Sequence, residues 1–281
     1  MADGAAGLPV SLVDATLGYD GRPIWEHLSL DIEPNAFYTI LGPNGSGKTS
    51  LLRAILGLTP LVGGSIEVLG SAPRRGNPAI GYIPQHQTFE RDLTMRGRDL
   101  VQLGLDGNRW GLGRLSSEER RQVERAIDGV GATPYAGAPI GRLSGGEQQR
   151  LRIAQALVGD PRMLLCDEPL ASLDLRYQGE ITGLIGDWQR RSGGTVIFVT
   201  HDINPVLDLT KRVLFVVNGR WAAGTPDEVL TSAKLTELYG SPVDVLRVRG
   251  RVVVVGEATD TGLDIGHSHS LPHPLETGVH A

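Results

Sequence analysis

Gly42-Pro43-Asn44-Gly45-Ser46-Gly47-Lys48-Thr49 has the composition of a cradle for a phosphate group. The three glycines open backbone conformations closed to other residues and bring peptide amides close to an anion. Lys48 adds a point charge for β/γ-phosphates, and the Thr49 hydroxyl suits Mg²⁺. Upstream, Ala36 to Leu41 reads as a short buried strand; downstream, Leu51, Leu52, Ile55 and Leu56 recur at helical spacing as far as Gly57. Strand, glycine turn and helix start is the order that aims a helix dipole at an anion. An ordinary glycine turn would need neither flank.

Composition bounds what such a loop can serve. A chain of 281 residues buries a sizeable core and holds one large domain or two smaller ones. Aromatic residues are sparse and the net charge is −5, so nothing here suggests nucleic acid as a partner. The longest apolar runs, such as Thr195 to Val199 and Val213 to Val217, are too short to cross a bilayer. No signal-peptide pattern opens the chain. The single cysteine, Cys166, excludes an internal disulfide framework and fits a reducing compartment.

In chain order, residues 1–8 read as a frayed terminus. Pro9 to Thr16 and Ser29 to Ile32 alternate as strands around the turn-rich Tyr19-Asp20-Gly21-Arg22-Pro23. Tyr19 either stacks on a purine or packs beside the turn. After the first helix, Ser65 to Gly70 and Ala79 to Ile83 are strand-like, and Pro84 leaves Gln85 on an exposed segment. An amide there is either a plain loop residue or a partner for water and a Mg²⁺ shell. From Thr88 to Ile140 the pattern turns helical. Leu100, Leu103 and Leu105 mark one helix, and Ser116-Ser117-Glu118-Glu119 caps another that carries Val123, Ile127 and Val130.

Leu143-Ser144-Gly145-Gly146-Glu147-Gln148-Gln149-Arg150 is a second informative stretch. Ser144 and Glu147 have capping-box spacing, yet two first-turn glycines cost a helix roughly 1 kcal/mol each against alanine. Bare backbone at a helix start is either a second phosphate site or a plain cap with tolerated glycines. The third stretch is Met163-Leu164-Leu165-Cys166-Asp167-Glu168-Pro169, an apolar strand that delivers two adjacent carboxylates to its end. Asp167 suits Mg²⁺ and Glu168 an attacking water; two solvated acids are the plainer alternative. Cys166 reads as a small core residue and Asp174 as a helix cap or turn. His201 directly follows the buried strand Thr195 to Thr200, in a structural role or facing a γ-phosphate. Val213 to Val217, Asn218-Gly219 and Arg220 to Ala222 form a hairpin with a type I′ signal. One glycine-lysine loop and two phosphate-seeking helix starts are reconciled if one face completes a nucleotide site on another copy.

The ordered set Tyr19, Gly42 to Thr49, Gln85, Leu143 to Gln148, Leu164 to Glu168, Ser172-Leu173-Asp174 and His201 resembles the ATP-binding subunit of ABC transporters, over about residues 8–240. That resemblance implies an α/β fold: a P-loop NTPase (RecA-like) core, an N-terminal antiparallel β subdomain and an inserted α-helical subdomain at about 88–140. It implies one ATP-binding domain over 1–240, followed by a strand extension at 241–256 and a tail at 257–281.

The roles it implies are specific. Tyr19 stacks adenine, and Gly42, Pro43, Asn44, Gly45, Ser46, Gly47, Lys48, Thr49 and Ser50 form the Walker A loop, with Thr49 on Mg²⁺. Gln85 senses Mg²⁺ and the membrane subunit. Ser144, Gly145 and Gly146 clamp the γ-phosphate of ATP bound to the partner copy. Asp167 is the Walker B carboxylate on Mg²⁺, Glu168 the general base, Asp174 the D-loop residue and His201 the switch histidine. The implied assembly is a homodimer on integral-membrane permease subunits, working indirectly with a substrate-binding protein, cytoplasmic and peripheral on the inner membrane face.

Pro169 to Asp174 and the region after Gly240 look like bacterial zinc/manganese importers, with siderophore and haem importers next. Leu93-Thr94-Met95-Arg96-Gly97 departs from that group's usual hydrophobic-Thr-Val-acidic pattern. An Fe–S assembly ATPase or a regulatory nucleotide-binding module is the non-transport alternative. Val248 to Val255 reads as an added strand pair. His267, His269, His273 and His280 lie among Gly, Ser and Pro, as weak Zn²⁺ ligands or incidental residues of a disordered tail.

Overall fold

The computed structural model describes residues 7–19, 21–85, 89–90, 92–106 and 115–256, so the four tail histidines lie outside the described residues. Its centre is a six-stranded sheet in the order β5 (Ile80–Ile83), β6 (Met163–Asp167), β7 (Thr195–Thr200), β3 (Phe37–Leu41), β8 (Arg212–Val217), β9 (Arg220–Gly224). The first five run parallel and β9 returns antiparallel from β8. Every residue of β3, β6 and β7 is buried. Strands covered on both faces read as near-continuous apolar runs. β6 is apolar up to Asp167 and β7 between Thr195 and Thr200, and β3 is interrupted by Thr39, whose hydroxyl is hydrogen-bonded to that of Thr210.

Alternate residues divide between two cores. Phe37, Leu41, Leu164, Cys166, Val196 and Phe198 face the helical layer: α2 (Gly97–Asp106), α3 (Ser117–Gly129), α4 (Gly145–Leu157) and α5 (Leu175–Ser192). Tyr38, Ile40, Met163, Leu165, Ile197 and Val199 face α1 (Lys48–Ile55) and an antiparallel sheet ordered β2 (Arg22–Ile32), β1 (Val10–Tyr19), β4 (Gly63–Val68). The result is three layers, with the carboxyl ends of β3, β6 and β7 meeting at one edge, where open α/β sheets bind ligands.

The first hairpin is longer than its hydrophobic alternation suggests. β2 begins at Arg22, not near Ser29, and buries Trp25 and Leu28. The β1–β2 register shifts at several points, and Asp14 and His27 take positive φ of 49° and 56°. Such bulges break the period of two by which a strand is recognised in sequence. The hairpin after β8 turns through Asn218 and Gly219, both left-handed, as a type I′ turn requires. The last strand pair among the described residues is β10 (Val243–Val248) with β11 (Arg251–Gly256). It corrects the expected Val248 to Val255 span: Val248 closes the first strand, and the reversal falls at Arg249-Gly250, both at positive φ.

Helix α4 packs against both α2 and α3, so the helical layer continues to Leu157. Gln148, 1% exposed, ties this layer together. Its amide donates to the carbonyls of Ile140 (3.0 Å) and Leu143 (3.1 Å) and accepts from the Phe89 N–H (3.4 Å). One turn on, the Arg152 guanidinium lies 4.3 Å from the Phe89 ring centroid. Replacing Gln148 by leucine leaves three backbone groups without these partners. Urea unfolding of Gln148→Leu should show a loss of about 2 kcal/mol, the cost of unsatisfied, partly buried polar groups.

Candidate nucleotide site

The loop between β3 and α1 has no room for side chains at two of its glycines. A Cβ on Gly42 (φ 149°) would lie 2.0 Å from the Val216 carbonyl oxygen, and one on Gly47 (φ 92°) 2.5 Å from Ile24 Cγ2. Only glycine permits this path, which wraps the loop over its own lysine. Lys48 is 5% exposed; its Nζ donates to the carbonyls of Gly42 (2.8 Å) and Pro43 (2.9 Å) and stands 3.8 Å from Glu168 Oε1. Burial pulls the Lys48 pKa down, while the charges of Glu168 and Asp167 oppose the shift. No side chain caps α1 and its first turn carries no acid, so its N-terminus is free of a competing carboxylate. Among the described residues, Ser46 Oγ is buried without a hydrogen-bond partner.

The end of β6 brings two carboxylates to the same place. Asp167, buried, accepts from Thr49 Oγ1 (3.0 Å) and Tyr82 Oη (3.3 Å). Burial raises its pKa, and these two hydrogen bonds pull it back. Glu168 sits at φ 46°, a strained backbone for a side-chain-bearing residue, with its N–H on the Val199 carbonyl (3.0 Å). Its Oε2 accepts from Gln85 Nε2 (3.4 Å) and lies 3.8 Å from His201 Nδ1. His201, then Lys48, hold the Glu168 pKa below its ordinary value against the effect of burial, and Glu168 raises that of His201. At 3.8 Å the Glu168–His201 contact is a long ion pair and not a hydrogen bond, so charge proximity is its physical content.

Lys48, Thr49, Gln85, Asp167, Glu168 and His201 therefore form one cluster. Tyr19 lies at its flank, 43% exposed, with its hydroxyl 3.4 Å from Ser50 Oγ, so its ring is open to a stacking partner. Ser144, Gly145, Gly146 and Asp174 are not joined to that cluster: the side-chain hydrogen bonds of Ser144 and Asp174 go to Glu147 and Tyr177. Ser144 caps α4 in a capping box with Glu147, and Asp174 caps α5 through the Tyr177 N–H (2.9 Å). Gly146 lies against the Tyr177 ring, where a Cβ would come within 2.5 Å of Cδ1, which gives that glycine a packing reason of its own. Tyr82 carries no sequence signal of its own, and Gln148 is legible in sequence only as part of the Leu143 to Gln148 stretch. Tyr82 lies three positions before Gln85 on β5, and the register that pairs it with Leu165 of β6 sets it beside Asp167.

The residues present fit a nucleotide with Mg²⁺. Thr49 and Asp167 supply hard oxygen donors beside a buried cation and an uncapped helix start, and Mg²⁺ takes one or two protein oxygens together with phosphates and waters. Fold and site thus define an α/β P-loop nucleotide-binding protein. The model of the ABC transporter family matches residues 25–171, and the chain belongs to that family. It is 31% identical over 239 residues to the manganese transport system ATP-binding protein MntB of Bacillus subtilis, covering 85% of this chain and 95% of that one. It is 33% identical over 233 residues to the zinc import ATP-binding protein ZnuC of Halorhodospira halophila, covering 83% of each. A solved structure of a transporter captured facing inward, described as of the metal-chelate ABC type, superposes with a TM-score of 0.75 at 26% identity, covering 88% of this chain and 96% of that one. As a family member the chain binds ATP and is an ATPase coupled to transport. Among the described residues no helix is long and apolar enough to cross a membrane.

The Glu168–His201 pair is testable directly. His201 should titrate above its ordinary 6.5 in histidine NMR spectra. A raised histidine pKa stabilises the fold most below the unfolded value, and that contribution fades as pH rises through the folded one. In Glu168→Gln the His201 resonance should move back toward 6.5; an unchanged titration would show that the carboxylate does not govern it.

Proposed function

We propose that this chain is the ATP-hydrolysing subunit that powers a membrane permease importing a divalent metal ion, zinc or manganese, through nucleotide-driven closure of a homodimer. The observation that carries the reading is the single cluster of Lys48, Thr49, Gln85, Asp167, Glu168 and His201 at and beyond the ends of four parallel strands, β3, β5, β6 and β7. Every position needed for hydrolysis is filled by a residue of the right chemistry.

In this reading Lys48 and the α1 amides bind the β/γ-phosphates, and Tyr19 stacks the adenine. Thr49 and Asp167 hold Mg²⁺, with Gln85 at its water shell; when bound, the ion neutralises charge on the phosphate oxygens. Glu168 is kept ionised by His201 and Lys48 and accepts a proton from the attacking water. His201 orients that water or bonds the γ-phosphate. The bare helix start at Ser144, Gly145 and Gly146 clamps the γ-phosphate held by the second copy, with Asp174 at the same junction. A γ-phosphate bound by both copies holds them together, so its loss removes the closure energy. A substrate-binding protein delivers cargo to the permease, and the subunit works at the cytoplasmic membrane face. The metal cargo follows the zinc and manganese relatives and is the finest part of the reading.

In the presence of Mg²⁺ and ATP, Glu168→Gln should bind nucleotide, lose turnover by about 10²- to 10³-fold as expected for a missing general base, and run as a dimer on gel filtration. A monomer with normal turnover would contradict the proposal. In the complex reconstituted with permease and binding protein, Zn²⁺ or Mn²⁺ should stimulate ATPase activity more than a ferric siderophore does; the reverse order would move the cargo.

A further inference from the structure

His201 has little packing of its own to hold it. Its side chain is 62% exposed, so the position of the imidazole near Glu168 is set by the backbone of the loop that follows β7. That loop is internally braced. Thr200 Oγ1 donates to the Asp202 carbonyl (2.9 Å) and accepts from the Asp202 N–H (3.2 Å). Asp202 Oδ1 in turn accepts from the Asn204 N–H (2.9 Å) and from Asn204 Nδ2 (2.8 Å).

The outer end of the brace lies 48 residues away in sequence. Asn204 Nδ2 donates to the Val252 carbonyl (2.9 Å), and Asn204 Oδ1 accepts from the Val252 N–H (2.8 Å). The amide thus pairs with β11 as a neighbouring strand would, at a residue whose polar groups face away from β10. The hairpin is itself fixed: Val243 exchanges hydrogen bonds with Thr236 Oγ1, the Val245 N–H donates to Ser232 Oγ (2.9 Å), and Val252 is buried.

The geometry points to Asn204 as a positioning residue through which the C-terminal hairpin holds His201 in place beside Glu168. This rests on the reading of His201 as a member of the reacting site. Asn204's hydrogen bonds go to Asp202 and Val252 and not to Glu168 or Lys48; it acts by anchoring the Thr200–Asp202 turn to the strand pair. Buried Ile203 and Val206 secure the same loop by packing, so losing the amide loosens the turn without releasing the segment.

The test is a double-mutant cycle on ATPase activity of the full chain assembled with its permease, a design that isolates coupling between two positions. Asn204→Ala should lower kcat by about fivefold, or about 1 kcal/mol at 1.36 kcal/mol per decade, with KM for ATP unchanged. The His201→Ala, Asn204→Ala double variant should be no slower than His201→Ala alone, because the anchor has nothing left to position. Asp227→Ala, which removes the exposed Arg247 ion pair at the other side of the hairpin, should keep the normal rate. Asn204→Asp, nearly the same shape, should lower kcat likewise and carries the test if the alanine variant melts early. Full kcat in both Asn204 variants, or losses that multiply with His201→Ala, would overturn the inference. A normal rate for His201→Ala would instead overturn the reading of the site on which it rests.

Discussion

The whole arrangement depends on keeping a lysine ammonium charged where water hardly reaches it. A buried cation is costly unless paired and hydrogen-bonded. Lys48 meets that demand with two carbonyls of its own loop and with Glu168 across the sheet edge. The loop turns its carbonyls inward along a path that presses Gly42 against the Val216 carbonyl of β8, the strand paired beside β3. Glu168 must then be ionised, and its neighbours hold it so. Loop path and carboxylate state thus both bear on one charge.

That charge also explains the division of labour. The cluster around Lys48 has a cation, hard oxygen donors and an ionised carboxylate within one chain. The second helix start, at Ser144, satisfies only its own cap. In the proposed dimer that helix start would meet the triphosphate held by the other copy's cluster. Through Asp202 and Asn204, whose amide pairs with Val252, the loop that carries His201 is joined by hydrogen bonds to the strand pair β10–β11.

What could be read from the sequence was what is local. The glycine-lysine loop, the capping boxes at Ser116 and Ser144 and the apolar strand ending in Asp167-Glu168 each express their physics within a dozen residues. Where contacts cross the chain, that reading stopped. Tyr82 meets Asp167 only through the β5–β6 register, Gln148 joins Phe89 to the α4 start across 59 positions, and Asn204 finds Val252 across 48. The early half of β2 was hidden for another reason: bulges at Asp14 and His27 disrupt alternation. Within the extension expected at 241–256, the strand pair reads in sequence from Val248 and starts in the structure at Val243, because its first strand carries mixed polar residues, Asp244 and Arg247 included.

The most direct test is a structure of the Glu168→Gln protein with Mg²⁺ and ATP. The account predicts two copies, with Ser144 to Gly146 of each within hydrogen-bond distance of a γ-phosphate that the other copy's Lys48 holds. Ser144 to Gly146 facing solvent, with the triphosphate bound by one chain alone, would contradict it.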